Sequence, residues 1–165
     1  MTMKSLSFQS GQRGMMMIEA LVAILIFSLG ILGMVGVNSL AVSSQSDAQF
    51  RSDANKFATE AIQQMWVSVD RTNATTLDAT LGAFQHQSGG STCAFSGAAA
   101  VNPVVATWVG AVMAAGSGLP GSTALMQQIL VTNLGAGVNQ VTVTVCWKAP
   151  GDAVARKHVM QSLIT

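Results

Sequence analysis

Asp, Glu, Lys and Arg are absent from Ala79 to Trp147, and across all 165 residues they amount to 9% against 50% hydrophobic residues. Soluble domains ordinarily carry about a quarter charged residues, so part of this chain is expected in lipid. The formal net charge is +1, which leaves no excess of cations to neutralise a run of phosphates; no nucleic-acid partner is expected. Two cysteines, Cys93 and Cys146, stand far apart with no CxxC spacing, so no metal site is expected. The only histidines are His86 and His158, and no nucleophile motif, metal-ligand cluster or phosphate loop surrounds them. The chain is therefore read as a non-enzyme without a cofactor, Cys93 with His86 being the least poor nucleophile and base.

What the chain has instead is a long apolar run. Met15 to Val37 reads MMMIEALVAILIFSLGILGMVGV, long enough as a helix to cross a hydrocarbon core of about 30 Å. Lys4 and Arg13 precede it, and no acid occurs among the first eighteen residues. The positive-inside bias then places the N-terminus in the cytoplasm and everything after Asn38 outside. A secretory signal would be cut beyond the apolar run, near Ala41 to Ser44, but its apolar region should be shorter. Such a signal should also lack Glu19, because an ionised carboxylate in hydrocarbon costs several kcal/mol unless it is paired or protonated.

Gly14, three apolar residues, Ile18 and Glu19, followed by the apolar run, resemble the processing site of type IV prepilins. The resemblance implies cleavage between Gly14 and Met15 by a membrane-embedded prepilin peptidase, removal of residues 1–14 as a cytoplasmic leader, and N-methylation of Met15. Glu19 then lies one helical turn from the new amine, and the resemblance implies that it pairs with the terminal amine of a neighbouring subunit during assembly. Two departures stand out: Met15 replaces the usual Phe, and no Pro interrupts the segment. Gly30, Gly33 and Gly36 occur there instead, either permitting close approach of neighbouring helices or weakening the helix locally.

Residues 15–37 are expected to form the transmembrane and filament-core helix, and residues 38–70 its amphipathic extension. No Gly or Pro interrupts Val37 to Val69, which predicts one continuous rod of about 80 Å. Phe50, Ala54, Phe57, Ala58, Ala61, Ile62, Met65, Trp66 and Val69 recur at helical spacing and should bury a face. Asp47 with Arg51, and Lys56 with Glu60, are four apart and positioned to pair on the exposed side.

Residues 71–165 are expected to form an exterior domain. Thr75 to Ser91 reads as irregular chain or short helix, with Gly89-Gly90-Ser91 a loop leading to Cys93. Pro103 to Ala115 predicts a helix burying Val105, Trp108, Val109 and Val112, ended by Gly116 to Gly121. Met126–Asn133, Asn139–Lys148 and Arg156–Ile164 predict an antiparallel meander. Val141, Val143, Val145 and Trp147 share one face of its middle strand and should pack on the helix, whereas Thr142, Thr144 and Cys146 share the other and look outward. The loop carrying Cys93 is then placed to cross Cys146 and be stapled to the sheet. A bridge there would contribute about 4 kcal/mol on the chain-entropy model; two separate buried thiols are the alternative, less expected in an oxidising exterior.

The whole is α+β and resembles the pilin plan, a long N-terminal helix packed on a C-terminal antiparallel sheet. Within that family, LGILGMVGVNSLAVSSQSDAQFRSDANKFATEAIQQM, VTVTVCWKAPG and HVMQSLIT are similar to PilV-type minor pilins, the type IV pilus modification proteins. The resemblance implies a subunit in the bacterial inner membrane with its domain in the periplasm, later at the pilus and cell surface. The implied partners are the prepilin peptidase, other minor and major pilins, the inner-membrane assembly platform and a tip adhesin. The implied role is priming of pilus assembly, with indirect support of adhesion and twitching motility. A minor pseudopilin of a type II secretion system is the nearest alternative, and a permanently anchored exterior binding domain is an alternative of another class.

Overall fold

The computed structural model describes residues 13–165, so the expected leader, apart from Arg13 and Gly14, lies outside the described residues. The first helix, α1 (Arg13–Ser68), runs unbroken through 56 residues. The chain divides into two compact units, Met1–Ser46 and Asp47–Thr165.

In the first unit every side chain described from Met15 to Gln45 is exposed. The helix continues through Gly30, Gly33 and Gly36, and a Cβ added at any of the three would meet nothing within 4 Å.

In the second unit, α1 buries Ala54, Phe57, Ala58, Ala61, Ile62, Met65 and Val69. These residues repeat at three and four positions, which brings them to one stripe of the helix. Trp66, expected in that stripe, is 41% exposed and lies at its margin. There its indole N–H donates to Ser162 Oγ at 3.3 Å, and the Arg71 guanidinium sits 4.9 Å from the ring centroid.

Three antiparallel strands, β3 (Gln127–Gly135), β4 (Val138–Trp147) and β5 (Arg156–Ile164), form a sheet in that order. This is the expected α+β arrangement of a long apolar N-terminal helix and a C-terminal meander. Val141, Val143, Val145 and Trp147 are buried in one core with the α1 stripe. Gly135, Ala136 and Gly137 at the β3–β4 turn all have positive φ, a conformation that glycine adopts without steric cost. Asp78 holds that end of the sheet, accepting from the side-chain amides of Asn133 at 2.6 Å and Asn139 at 2.7 Å.

The segment left open as irregular or short helix contains α2 (Ala74–Gly82). Asn73 is its N-cap: Asn73 Oδ1 accepts from the Thr76 N–H and Thr76 Oγ1 accepts from the Asn73 N–H. That reciprocal pair satisfies two donors the helix start would leave orphaned. The next helix, α3, covers Pro103–Val112 and buries Val105, Trp108, Val109 and Val112 as expected. The buried Trp108 indole N–H donates to the Phe57 carbonyl at 2.9 Å, tying α3 to α1.

Three expectations need correction. The helix ends at Val112 instead of Ala115, because the chain folds back so that Leu119 N–H and Ser122 Oγ donate to the Val112 carbonyl. A Cβ at Gly118 would collide with that carbonyl, so the reversal depends on glycine. Gly89–Ser91 is a strand, β1, which pairs antiparallel with β2 (Ala94–Ser96). Lys56 and Glu60 form no ion pair among the described residues, whereas Asp47 and Arg51 pair at 3.1 Å.

Candidate functional site

Two features carry the residues singled out by sequence. The first is the start of α1. Gly14 belongs to the helix, Met15 is 76% exposed, and Glu19 is exposed four residues further on. Four residues at 1.5 Å each set Met15 and Glu19 about 6 Å apart along the axis, on neighbouring positions of one helix face. No hydrogen bond or ion pair within the described residues engages Glu19. The polar group deeper in the run behaves differently: Ser28 Oγ donates to the Ile24 carbonyl at 2.7 Å, which satisfies the hydroxyl within the helix. Of the polar side chains between Met15 and Val37, Glu19 alone is ionisable, and it is left facing outward.

The second feature is the staple. Cys93 and Cys146 form a disulfide with a Cα–Cα distance of 5.6 Å. Cys93 occupies the two-residue turn between β1 and β2 with φ +61°, an unusual conformation for a non-glycine residue. Cys146 lies on the sheet face opposite the valines, as its register requires, but it is fully buried instead of outward-facing at the surface. The β1–β2 hairpin covers that end of the sheet, and Thr144 beside it is buried too.

Gln127 completes the seat of the staple. At the start of β3 its side-chain amide donates to the Cys146 carbonyl at 3.0 Å and accepts from the Cys146 N–H at 3.3 Å. The amide thereby stands in for a residue of β3 where that strand has not yet begun. Gln128 Nε2 reaches the Gln87 carbonyl at 2.7 Å and ties the hairpin's approach to the sheet. Sequence reading missed both glutamines; the available signal was two adjacent amides opening a strand ahead of Ile129, Leu130 and Val131.

His86 is buried beside this region. Its backbone exchanges hydrogen bonds with Ile129, and its Nδ1 accepts from the Ala100 N–H at 3.2 Å. Burial holds the imidazole below its ordinary pKa of 6.5, and the Ala124 carbonyl opposes this without reaching hydrogen-bond geometry at Nε2. Cys93 and His86 do not form a nucleophile and base, since Cys93 Sγ is bonded to Cys146 and His86 Nδ1 is occupied.

A charge network, of which only the Asp47–Arg51 pair was expected from sequence, joins α1 to the sheet. The Arg156 guanidinium holds both oxygens of Asp152 at 2.8 Å and also pairs with Asp47, which in turn accepts from Arg51. The Arg156 hydrogen bond draws the Asp152 carboxyl below its ordinary value, and burial opposes it. Among the described residues no group of His, Cys, Asp and Glu is arranged to hold a metal ion.

Comparison with protein-family models, curated proteins and solved structures finds no match.

Proposed function

We propose that this chain is a type IV pilin-like subunit, most similar to PilV-type minor pilins, that is processed at Gly14 and takes part in priming pilus assembly. The observation that carries the reading is the first unit of α1. Met15 to Val37 is an unbroken apolar helix with all its side chains exposed and with Glu19 its one ionisable group. That surface is suited to lipid and to other apolar helices, because its backbone is satisfied internally and its side chains are hydrophobic. A carboxylate beside a newly freed amine then has a charge partner available in low dielectric, either its own terminus or that of a neighbour.

In this reading the prepilin peptidase removes residues 1–14, Met15 is methylated, and the helix anchors the subunit in the inner membrane with its domain in the periplasm. Other minor and major pilins, the assembly platform and a tip adhesin are the partners, and adhesion and twitching motility depend on the subunit indirectly. The disulfide suits an oxidising exterior, which agrees with the orientation expected from Lys4 and Arg13.

Mass spectrometry of the mature protein tests the reading. Met15 is expected as the first residue, carrying a methyl group. An intact Met1 in cells that contain the peptidase overturns it. Glu19→Ala should leave the protein processed and in the membrane while reducing its recovery in sheared pili at least tenfold.

A further inference from the structure

After β2 the chain crosses to α3 through residues 97–102, a strap of Gly, three Ala, Val and Asn. Its side chains are small and bury little: Ala100 and Asn102 are half-buried, and Val101 is 88% exposed. Three hydrogen bonds fasten it to residues 83–87. The Gln87 N–H donates to the Ala98 carbonyl at 3.0 Å, the Asn102 N–H donates to the Ala83 carbonyl at 3.0 Å, and between them the Ala100 N–H donates to His86 Nδ1 at 3.2 Å. The outer two join backbone to backbone and do not titrate. The middle one ends on an imidazole, and it lasts only while that nitrogen keeps its lone pair.

An accepting Nδ1 puts the hydrogen of the neutral ring on Nε2, which is buried and bonds to nothing among the described residues. A second proton has to go to Nδ1, where it points at the Ala100 N–H, donor against donor. No opposite charge compensates it. Ala98, Ala100, Ala124 and Ile129 all belong to the stretch Ala79 to Trp147, which holds no Asp, Glu, Lys or Arg. The acid on α2, Asp78, is taken up by Asn133 and Asn139. On α1, Ala61 and Gln64 line the cleft beside Phe84 and Ile129, and Glu60 has no influence on the ring. Burial disfavours the imidazolium, opposed only by the Ala124 carbonyl. Water reaches the charged ring if the strap lifts, at the loss of three hydrogen bonds and little apolar contact.

We infer that His86 is an acid-operated latch: the neutral imidazole fastens residues 97–102 over the domain, and its protonation releases them. The inference stands apart from the reading of the first unit. Release also loosens the start of α3, because Asn102 caps that helix by accepting from the Val104 N–H at 3.0 Å. Val104 and Val105 line an apolar cleft with Ala61, Phe84, Trp108 and Ile129, so one wall of that cleft moves in acid. The latch is closed at neutral pH because the pKa in the closed fold lies below the ordinary 6.5. As pH falls below that ordinary value, the open strap gains up to tenfold in relative population per pH unit, until the lower folded value is reached.

Amide hydrogen exchange of the full-length chain in detergent, read residue by residue and divided by the intrinsic chemical rate at each pH, tests this. Between about pH 7.5 and about pH 4.5 the protection of Ala100 should fall at least tenfold, while Val143 and Val145 in β4 keep theirs. His86→Asn places a side-chain oxygen three bonds from Cα, as Nδ1 is, and that oxygen accepts without titrating; protection of Ala100 should then stay within about twofold across the range. His86→Leu has no acceptor and should leave Ala100 unprotected at both ends of the range. Unchanged Ala100 protection in the parent chain overturns the inference, as does the same fall in His86→Asn. Protection of Ala100 in His86→Leu equal to that of the parent at neutral pH also overturns it. A loss at Val143 and Val145 in the same step means that the sheet opens and not the strap alone, which overturns it as well.

Discussion

One helix, α1, serves two environments, and its two parts differ in which side chains are hidden. From Met15 to Val37 apolar residues occupy every face and none is buried; from Ala54 to Val69 all but Val67 gather on one stripe, and nearly all of that stripe is buried. Helical hydrogen bonding is the same in both. The difference teaches that hydrophobicity alone does not specify a core: the second part folds against a sheet because its apolar residues converge on one face, whereas the first offers no preferred face to a partner within the chain.

That contrast can be broken most forcefully at the staple, which belongs to one unit only. Cys93→Ser with Cys146→Ser should cost the second unit about 4 kcal/mol on the chain-entropy model, read by denaturant unfolding in detergent, with membrane recovery unchanged. Loss of membrane recovery would mean the two units are not separable in this way. Next in size, Met65→Ala, which empties a fully buried site, should cost about 3 kcal/mol. Leu25→Ala in the first unit should shift the same transition by less than about 0.5 kcal/mol. Equal effects at the two positions would erase the distinction between them.

A smaller loss is expected from Arg156→Met, which leaves Asp152 without its partner and Asp47 with Arg51 alone on a partly exposed surface. The unfolding midpoint should fall less than for Met65→Ala, and the loss should shrink in high salt. Asp152 titrates below its ordinary value in the folded chain, so its share is present above that ordinary value of 3.8 and is lost as pH falls through the lower folded one.

The smallest effect belongs to His86, whose folded pKa lies below 6.5. Between that ordinary value and the lower folded one, the unfolded chain holds a proton that the folded chain does not. Stability should therefore fall as pH drops through this window, with a slope of no more than one proton. His86→Asn should flatten the slope.

Much of the second unit was legible because its periods are clean. The α1 stripe, the four buried residues of α3 and the valine face of β4 follow from spacing alone, and Arg156–Ile164 was placed to the residue. Gly89 to Ser91 was read as a loop because two glycines and a serine carry no strand preference; pairing with Ala94–Ser96 and the anchoring of Cys93 hold it extended. Cys146 was read as outward from its register, and the register was right. What covers it is a hairpin with no apolar alternation of its own.

By itself the sequence determined an apolar helix with Glu19 near its start, an amphipathic continuation, a three-stranded meander and the face each valine occupies, since these depend on the order of neighbouring residues and on fixed helical and strand periods. Tertiary structure alone decided that Gln127 completes the backbone pairing of Cys146, that Arg156 bridges Asp47 and Asp152, and that the β1–β2 hairpin closes one end of the sheet. The Gln127–Cys146 and Arg156–Asp47 contacts join residues 19 and 109 positions apart, and no local period encodes a meeting made by the folding back of the chain.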